Sequence, residues 1–243
     1  LGMHPDVNAI SFTGSTVIGR RFLEYSARSN LKRIVLELGG KNPCVVLDDA
    51  ENLDYVAEHV AQAVFWNMGQ NCSSNSRLIV QKGIKNQLLE KVIEKAADWR
   101  TGYPLDPANR LGAMNTKEHF NKVMGYIDIG KKDGASIVLG GQSLEIGDGI
   151  YIEPTIFDGV SREMRIGREE IFGPVLSVIE VDSPTEAISI ANDTDYGLQA
   201  SLFTSNVKQA HRMARDLQAG TVTVNCYGEG DISTPFGGYK QSG

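Results

Sequence analysis

An α/β architecture, with an open, largely parallel sheet flanked by helices, follows from three observations. Short β-branched or aliphatic runs alternate with longer amphipathic runs from one end of the 243-residue chain to the other. The short runs are bounded mostly by Gly, Asp or Asn, the residues that interrupt strands and start turns. The stretches between them are long enough for a helix to carry the chain back across a sheet, as parallel pairing of successive strands requires.

Taken in order, "AISF" (9–12) is the first expected strand, and it runs into Gly14, Ser15 and Thr16 before a helix opening with Val17, Ile18 and Gly19. Strands "RIVLEL" (33–38) and "CVVLD" (44–48) follow, separated by a glycine pair. After an Asn52 cap, Leu53, Val56, Ala57, Val60 and Val64 recur at spacings of three and four, and the helix they define is expected to stop at Gly69. Strand "RLIVQ" (77–81) leads to helices over "KNQLLEKVIEKAADW" and "TKEHFNKVMGYIDIGKKDG". Strands "SIVLG" and "VLSVIEV" come next, then helix "PTEAISIAN" ending on Asn192. Strand "ASLFT", helix "VKQAHRMARDLQAG" ending on Gly220 and strand "TVTV" complete the series. Loop signals are densest in "LGGQSLEIGDG" and "CYGEGDISTPFGGYKQSG".

Composition narrows the function. With 41% hydrophobic and 22% charged residues, the chain can bury a core for one large domain, or for one domain plus part of another. Its net charge of -6 is spread without long like-charge runs, which argues against nucleic acid as a partner. No continuous apolar stretch reaches the roughly 18 residues of a membrane span. The opening "LGMHPDVNAI" lacks the basic and apolar regions of a signal peptide, so a cytoplasmic location is expected. Three cysteines, Cys44, Cys72 and Cys226, without CxxC spacing suit neither a disulfide framework nor a zinc site. No metal is expected, and at least one thiol must be free.

In open α/β sheets the chemistry gathers at the carboxyl ends of strands. The segment "ISFTGSTVIGR" places Gly14 and Ser15 where N–H groups of a helix start would attract an anion, with Gly14 allowing close approach; a simple capped turn is the equal alternative. Glu37 stands at the end of a hydrophobic strand before Gly39 and Gly40. Desolvation there would raise its pKa toward that of a general base, while periodicity alone favours an ordinary solvated glutamate. Cys72, in "FWNMGQNCSSNSR", sits among small polar residues that leave a thiolate accessible and supply N–H donors. Cys44, inside a strand, reads as a buried inert thiol, and Cys226, at the end of "TVTVNC", as a residue that lines a pocket without reacting.

The segments "FTGSTVIG", "LELGGKNP", "GQNC", "EEIFGPV", "NDTDYGL" and "PFGGYKQSG" resemble, in order, the signature motifs of the aldehyde dehydrogenase superfamily. The resemblance implies a Rossmann-like sheet, NAD or NADP as cofactor and a small-molecule aldehyde as substrate. It makes Cys72 the nucleophile and Glu37 the general base, and places Ser15, beside Gly14, at the cofactor pyrophosphate. Glu170 and Phe172 resemble the residues that hold the nicotinamide ribose and pack beside the nicotinamide ring. Without it, Glu170 reads as a surface carboxylate and Phe172 as a core aromatic. Asn225 is a weaker correspondence, with a strand-end turn residue as the equal alternative.

Members of that family are about twice this length. Residues 1–40 then correspond to a remnant of the cofactor domain and 41–243 to the catalytic domain. The missing half would carry the lysine of the adenosine ribose and the asparagine of the oxyanion hole, so this chain alone is expected to be inactive and its parent a homo-oligomer, a dimer or tetramer. A CoA-acylating relative is the rival on the same fold, and Glu37 argues against it, since those enzymes lack that glutamate. A cysteine–histidine hydrolase is disfavoured because His59, His119 and His211 lie on expected helices and none of the four histidines, His4 included, ends a strand. A non-catalytic protein on this fold is disfavoured by the joint presence of Cys72, Glu37, Glu170 and Phe172. The tail "NCYGEGDISTPFGGYKQSG" resembles dehydrogenases of polyamine breakdown, and Glu229 and Asp231 there would favour a cationic aldehyde, unless both are simply solvated loop acids.

Overall fold

The computed structural model describes residues 1–228 and 230–243. In chain order the elements are β1 (Ala9–Thr13), α1 (Thr16–Arg28), β2 (Arg33–Glu37), β3 (Pro43–Val46), α2 (Leu53–Phe65), β4 (Arg77–Gln81), α3 (Lys85–Ala96), α4 (Lys117–Lys132), β5 (Ser136–Leu139), β6 (Ser143–Leu144), β7 (Tyr151–Ile152), β8 (Thr155–Asp158), α5 (Arg165–Arg168), β9 (Val175–Val181), α6 (Pro184–Asn192), β10 (Tyr196–Gly197), β11 (Gln199–Phe203), α7 (Val207–Asp216), β12 (Thr221–Val224) and β13 (Tyr239–Lys240). Seven strands form the main sheet in the order β12-β11-β3-β4-β9-β8-β5. All its pairings are parallel except that of β5 with β8. A separate parallel pair joins β1 to β2, in register from Ala9 with Arg33 to Thr13 with Glu37.

The central strands show why the sheet is parallel and covered on both faces. Residues of β3, β11 and nearly all of β4 and β9 are buried whichever way they point, and most are aliphatic, Val, Leu and Ile above all. Helix α2 packs Val56, Ala57, Val60, Ala61, Val64 and Phe65 into that core. It starts at Asn52, whose side chain accepts the Tyr55 N–H from a left-handed backbone at φ 51°. Ser183 caps α6, with Pro184 in its first turn, and Thr116 caps α4 by accepting the His119 N–H at 3.1 Å.

Two helix ends fall short of their sequence signals. Helix α2 stops at Phe65, and Asn67 and Met68 enter left-handed conformations (φ 54° and 59°) inside a 3-10 turn that ends at Gly69. Helix α7 stops at Asp216, because Leu217 is extended and Gly220 lies against the backbone of Gly237. Strand β8 carries no strong sequence signal, being four residues directly after a proline, yet it lies inside the sheet between β9 and β5.

Candidate active site

The site lies where the two parallel sheets meet, at the carboxyl ends of β1 and β2 and at the amino ends of β3, β4, β9 and β11. The expectation that the candidates crowd at carboxyl ends thus holds for the small sheet only. Cys72 belongs to the loop that enters β4, and what fixes that loop is Asn42, the residue before β3. The Asn42 Nδ2 donates to the carbonyls of Cys72 (2.8 Å) and Ser74 (2.9 Å), while its Oδ1 accepts the Gln199 N–H at 3.0 Å. Glycine is needed on both sides of this clamp. A Cβ on Gly40 would stand 2.5 Å from the Cys72 carbonyl oxygen, and one on Gly69, at φ +65°, would overlap the Gly173 carbonyl.

Cys72 is half-buried, whereas Cys44 is fully buried and its thiol is pushed far up by desolvation. Burial also pushes the Cys72 thiol up; the N–H groups of Ser73 and of Cys72 itself pull it down, and the charges of Glu170 and Glu37 raise it again. Asn71 is its immediate partner. The Asn71 Oδ1 accepts from the Ser73 N–H (3.3 Å) and Ser73 Oγ (3.2 Å), and the Cys72 sulfur lies 3.9 Å away. The Asn71 Nδ2 donates to the Tyr227 hydroxyl at 3.2 Å.

Glu37 ends β2, half-buried, and its Oε2 is enclosed without a hydrogen-bond partner. Burial raises its pKa. Among the described residues it forms no ion pair, so the solvated, salt-bridged alternative is not what the fold builds. The chain beyond it is locked by Ser242, whose carbonyl accepts the Leu38 N–H (2.7 Å) and whose hydroxyl donates to the Gly39 carbonyl (2.7 Å).

Across from these groups, Glu170 Oε1 accepts the Gly40 N–H at 2.9 Å, and a Cβ on Gly39 would come within 2.5 Å of its carboxylate. Burial raises the Glu170 pKa, opposed by the Gly40 N–H. Phe172 adopts a left-handed φ of 61°, and its carbonyl accepts from His119 Nε2 at 2.6 Å. The two rings meet edge to face, 5.7 Å between centroids. Ser15 caps α1 through the Ile18 N–H (3.4 Å). One cavity of about 410 Å3 is lined by Gly14, Ser15, Cys72, His119, Glu170 and Phe172 together. Glu37 stands one residue behind Leu38 in its wall.

Gly14 and Ser15 leave a helix start open to this space, and Gly39 and Gly40 bring the backbone close to Glu170. These features fit a nucleotide whose phosphate meets the helix end and whose ribose hydroxyls meet the carboxylate. Among the described residues, no group of three or more His, Cys, Asp or Glu side chains is placed to hold a metal ion.

Other candidates lie apart. Asn225 takes the turn role: at φ 56° its side chain exchanges hydrogen bonds with the Thr204 N–H and carbonyl (2.9 and 3.0 Å). Asp231 is exposed, and bonds from Ser233 hold its carboxyl below the usual range. Glu229 lies outside the described residues. Sequence reading saw Asn71 only as one of the small polar neighbours of Cys72, and missed Asn42 and His119, and also Lys41, whose buried Nζ has no hydrogen-bond partner. His119 carried one usable signal, its place in the first turn of a capped helix. Asn42 carried none, because the carbonyls and the N–H it binds are 30 or more residues away.

The match to known proteins covers the whole chain. The profile of the "Aldehyde dehydrogenase family" matches residues 1–243. The chain belongs to the aldehyde dehydrogenase family. Members of this family are oxidoreductases. An aminoacetaldehyde dehydrogenase of Pseudomonas aeruginosa is 56% identical over 243 residues, covering 100% of the chain and 48% of that protein. The structure of an indole-3-acetaldehyde dehydrogenase of P. syringae, in complex with NAD+ and IAA, superimposes with TM-score 0.99 at 49% identity, covering 100% of this chain and 49% of that one. A gamma-glutamyl-gamma-aminobutyraldehyde dehydrogenase of Burkholderia cenocepacia gives TM-score 0.97 at 49% identity, with the same coverage of 100% and 49%. The chain spans about half the length of the curated relatives it matches. Among the described residues no helix is long and apolar enough to cross a membrane.

Proposed function

We propose that the protein to which this chain belongs oxidises an aldehyde to a carboxylic acid with NAD or NADP, with Cys72 as nucleophile and Glu37 as general base. The observation that carries this reading is the convergence on one cavity of a half-buried thiol, the Glu170 carboxylate and an open helix start, with the Glu37 carboxylate one residue behind the wall. Residues 1–40 would belong to the cofactor-binding part and 41–243 to the catalytic domain, with the missing half supplying the remaining cofactor contacts. A cytoplasmic homo-oligomer is the setting this reading implies.

The chemistry assigned to this chain is as follows. Ser15 and Gly14 would receive the pyrophosphate, Glu170 the nicotinamide ribose and Phe172 the ring. The Cys72 thiol gives its proton to water, and the thiolate forms an S–C bond to the aldehyde carbon. The oxyanion so formed is stabilised by main-chain N–H groups, that of Cys72 among them. When bound, the cofactor supplies the hydride acceptor that brings this carbon to the acyl level, leaving a thioester on Cys72. Glu37 then takes a proton from water as its oxygen attacks the thioester; the S–C bond breaks, and the acid and the thiolate leave. A half-buried Glu37 of raised pKa suits that step, and it favours water over CoA as the acyl acceptor.

The substrate is read as an ω-amino or ω-guanidino aldehyde, as in polyamine breakdown. Support comes from the names of two relatives, which act on aminoaldehydes, and from Glu229 and Asp231 in the segment after β12. The test is NADH formation by the full-length parent with 4-guanidinobutyraldehyde and with butyraldehyde, at low and high salt. A cationic preference in kcat/KM that weakens with salt is expected. Equal efficiency would end the substrate reading, and no NADH with any aldehyde would end the activity reading.

A further inference from the structure

The nucleophile loop contains a hydrogen-bond cluster that works against the chemistry it surrounds. Cys72 has two neighbours able to stabilise a thiolate, its own N–H and that of Ser73. The Ser73 N–H, however, already points at the Asn71 Oδ1 (3.3 Å), which also takes the Ser73 hydroxyl (3.2 Å) and stands 3.9 Å from the Cys72 sulfur. Two donors from Ser73 fix which end of the Asn71 amide is oxygen. Its other end donates to the Tyr227 hydroxyl (3.2 Å), and the Tyr227 N–H is anchored on His59 Nδ1 (3.1 Å) from α2. The arrangement is therefore tied to the core at one end and to the sulfur at the other.

We propose that Asn71, oriented by Tyr227, is a positioning residue that holds Cys72 in the neutral thiol form at rest. The effect is double. Oδ1 offers the S–H an acceptor, which favours the protonated sulfur, and it shares the Ser73 N–H on which the thiolate also draws. Ionisation therefore requires the S–H proton to leave the Asn71 Oδ1 for water, while the shared Ser73 N–H comes to favour the sulfur over Asn71. The titratable and charged groups that face the sulfur besides this cluster are Glu37 at the end of β2, Glu170 before β9, and His119 and Lys122 of α4 across the same cavity, none of which the substitutions below remove. The inference rests on the reading of Cys72 as nucleophile and concerns how its reactivity is held back before substrate arrives.

The experiment is the pH profile of iodoacetamide alkylation of Cys72 in the cofactor-free parent, followed by peptide mass spectrometry; alkylation forms an S–C bond and releases iodide. Asn71→Val should lower the alkylation midpoint by about one pH unit, the size of one lost hydrogen-bond bias. Because a more acidic thiol is a weaker nucleophile, that shift corresponds to roughly three-fold faster labelling at neutral pH. Tyr227→Phe should move the midpoint in the same direction by less. An unchanged or raised midpoint in Asn71→Val overturns the proposal. Should the variants not fold, difference Raman spectra of the native protein against Cys72→Ser decide it: a Cys72 S–H band shifted down by hydrogen bonding is expected, and an unshifted band overturns the proposal. If Cys44 or Cys226 is alkylated before Cys72 in the native protein, it is the assignment of the nucleophile that fails, with the Raman result still judging the role of Asn71.

Discussion

Lys41 is a lysine with no access to water, set between Gly40, which binds Glu170, and Asn42, which binds the Cys72 loop. Burial lowers its pKa to about 7, the Arg77 charge adds to that, and Glu170 and Glu169 oppose it. In the unfolded chain a lysine titrates near 10.5. Between these values the unfolded chain holds a proton that the fold lacks, so this group makes stability rise with pH across that window. Urea titrations of the parent across the window should show that rise, and Lys41→Met should flatten it; parallel slopes in the two proteins would contradict the burial of a titrating amine. Cys72 makes the second residue-scale prediction. Cys72→Ser should abolish both aldehyde oxidation and iodoacetamide labelling of this segment, a loss of at least about a thousand-fold in kcat. Labelling that reaches Cys44 or Cys226 faster than Cys72 in the native protein would sink the assignment. Cys72 stood out in the sequence as a thiol among small polar residues, whereas the local pattern at Glu37 favoured an ordinary solvated glutamate and only the family resemblance singled it out as the general base. The role of His119 was not legible, since its ring finds the Phe172 carbonyl only through the tertiary fold, and Asn71 was not tied to Tyr227 until the fold brought them together.

Among the elements, β4 does more than fill the sheet. Its first residue, Arg77, is fully buried and donates from Nε to the Lys41 carbonyl (2.9 Å), and from its two terminal nitrogens to Ile190 (3.0 Å) and Ala191 (2.9 Å) at the end of α6. One guanidinium thus joins the segment between β2 and β3 to the end of a helix. Arg77→Met would strip the Lys41 and Ala191 carbonyls of this partner, at about 1–3 kcal/mol each where no water replaces the loss, and leave the Ile190 carbonyl to the Asp193 N–H (3.2 Å). A drop of about 3 kcal/mol or more in unfolding free energy is expected from urea denaturation, and a change below about 1 kcal/mol would show that these bonds are replaced by solvent. The same contrast governs what could be read in advance. Apolar runs such as those of β4 and β9 declare strands buried on both faces. The four residues of β8 follow a proline and sit amid glycine-rich loops, so their place in the sheet is set by the neighbours they pair with. Helix α2 ended early for a similar reason: the 3-10 turn at Asn67 and Met68 is imposed by packing of Gly69 against Gly173, which no local propensity announces.

At the scale of the whole molecule, the cavity is shared by two sheets, and on the proposed reading this chain supplies only part of what a dinucleotide needs. Ser15, Glu170 and Phe172 are the cofactor contacts assigned to it. The 243-residue chain alone should therefore give no NAD-dependent turnover, and calorimetry should find no micromolar NAD binding; micromolar affinity would show that the cofactor site is complete here. The central claim is that acyl transfer runs through Cys72 and that Glu37 releases it, and the most direct measurement is on Glu37→Gln in the full-length parent. Mixed with NAD and aldehyde, that variant should produce a burst of about one NADH per site and then stall, with intact-mass and peptide spectra placing the acyl group on Cys72. Steady turnover without a burst, or an acyl group on any other residue, would contradict the account.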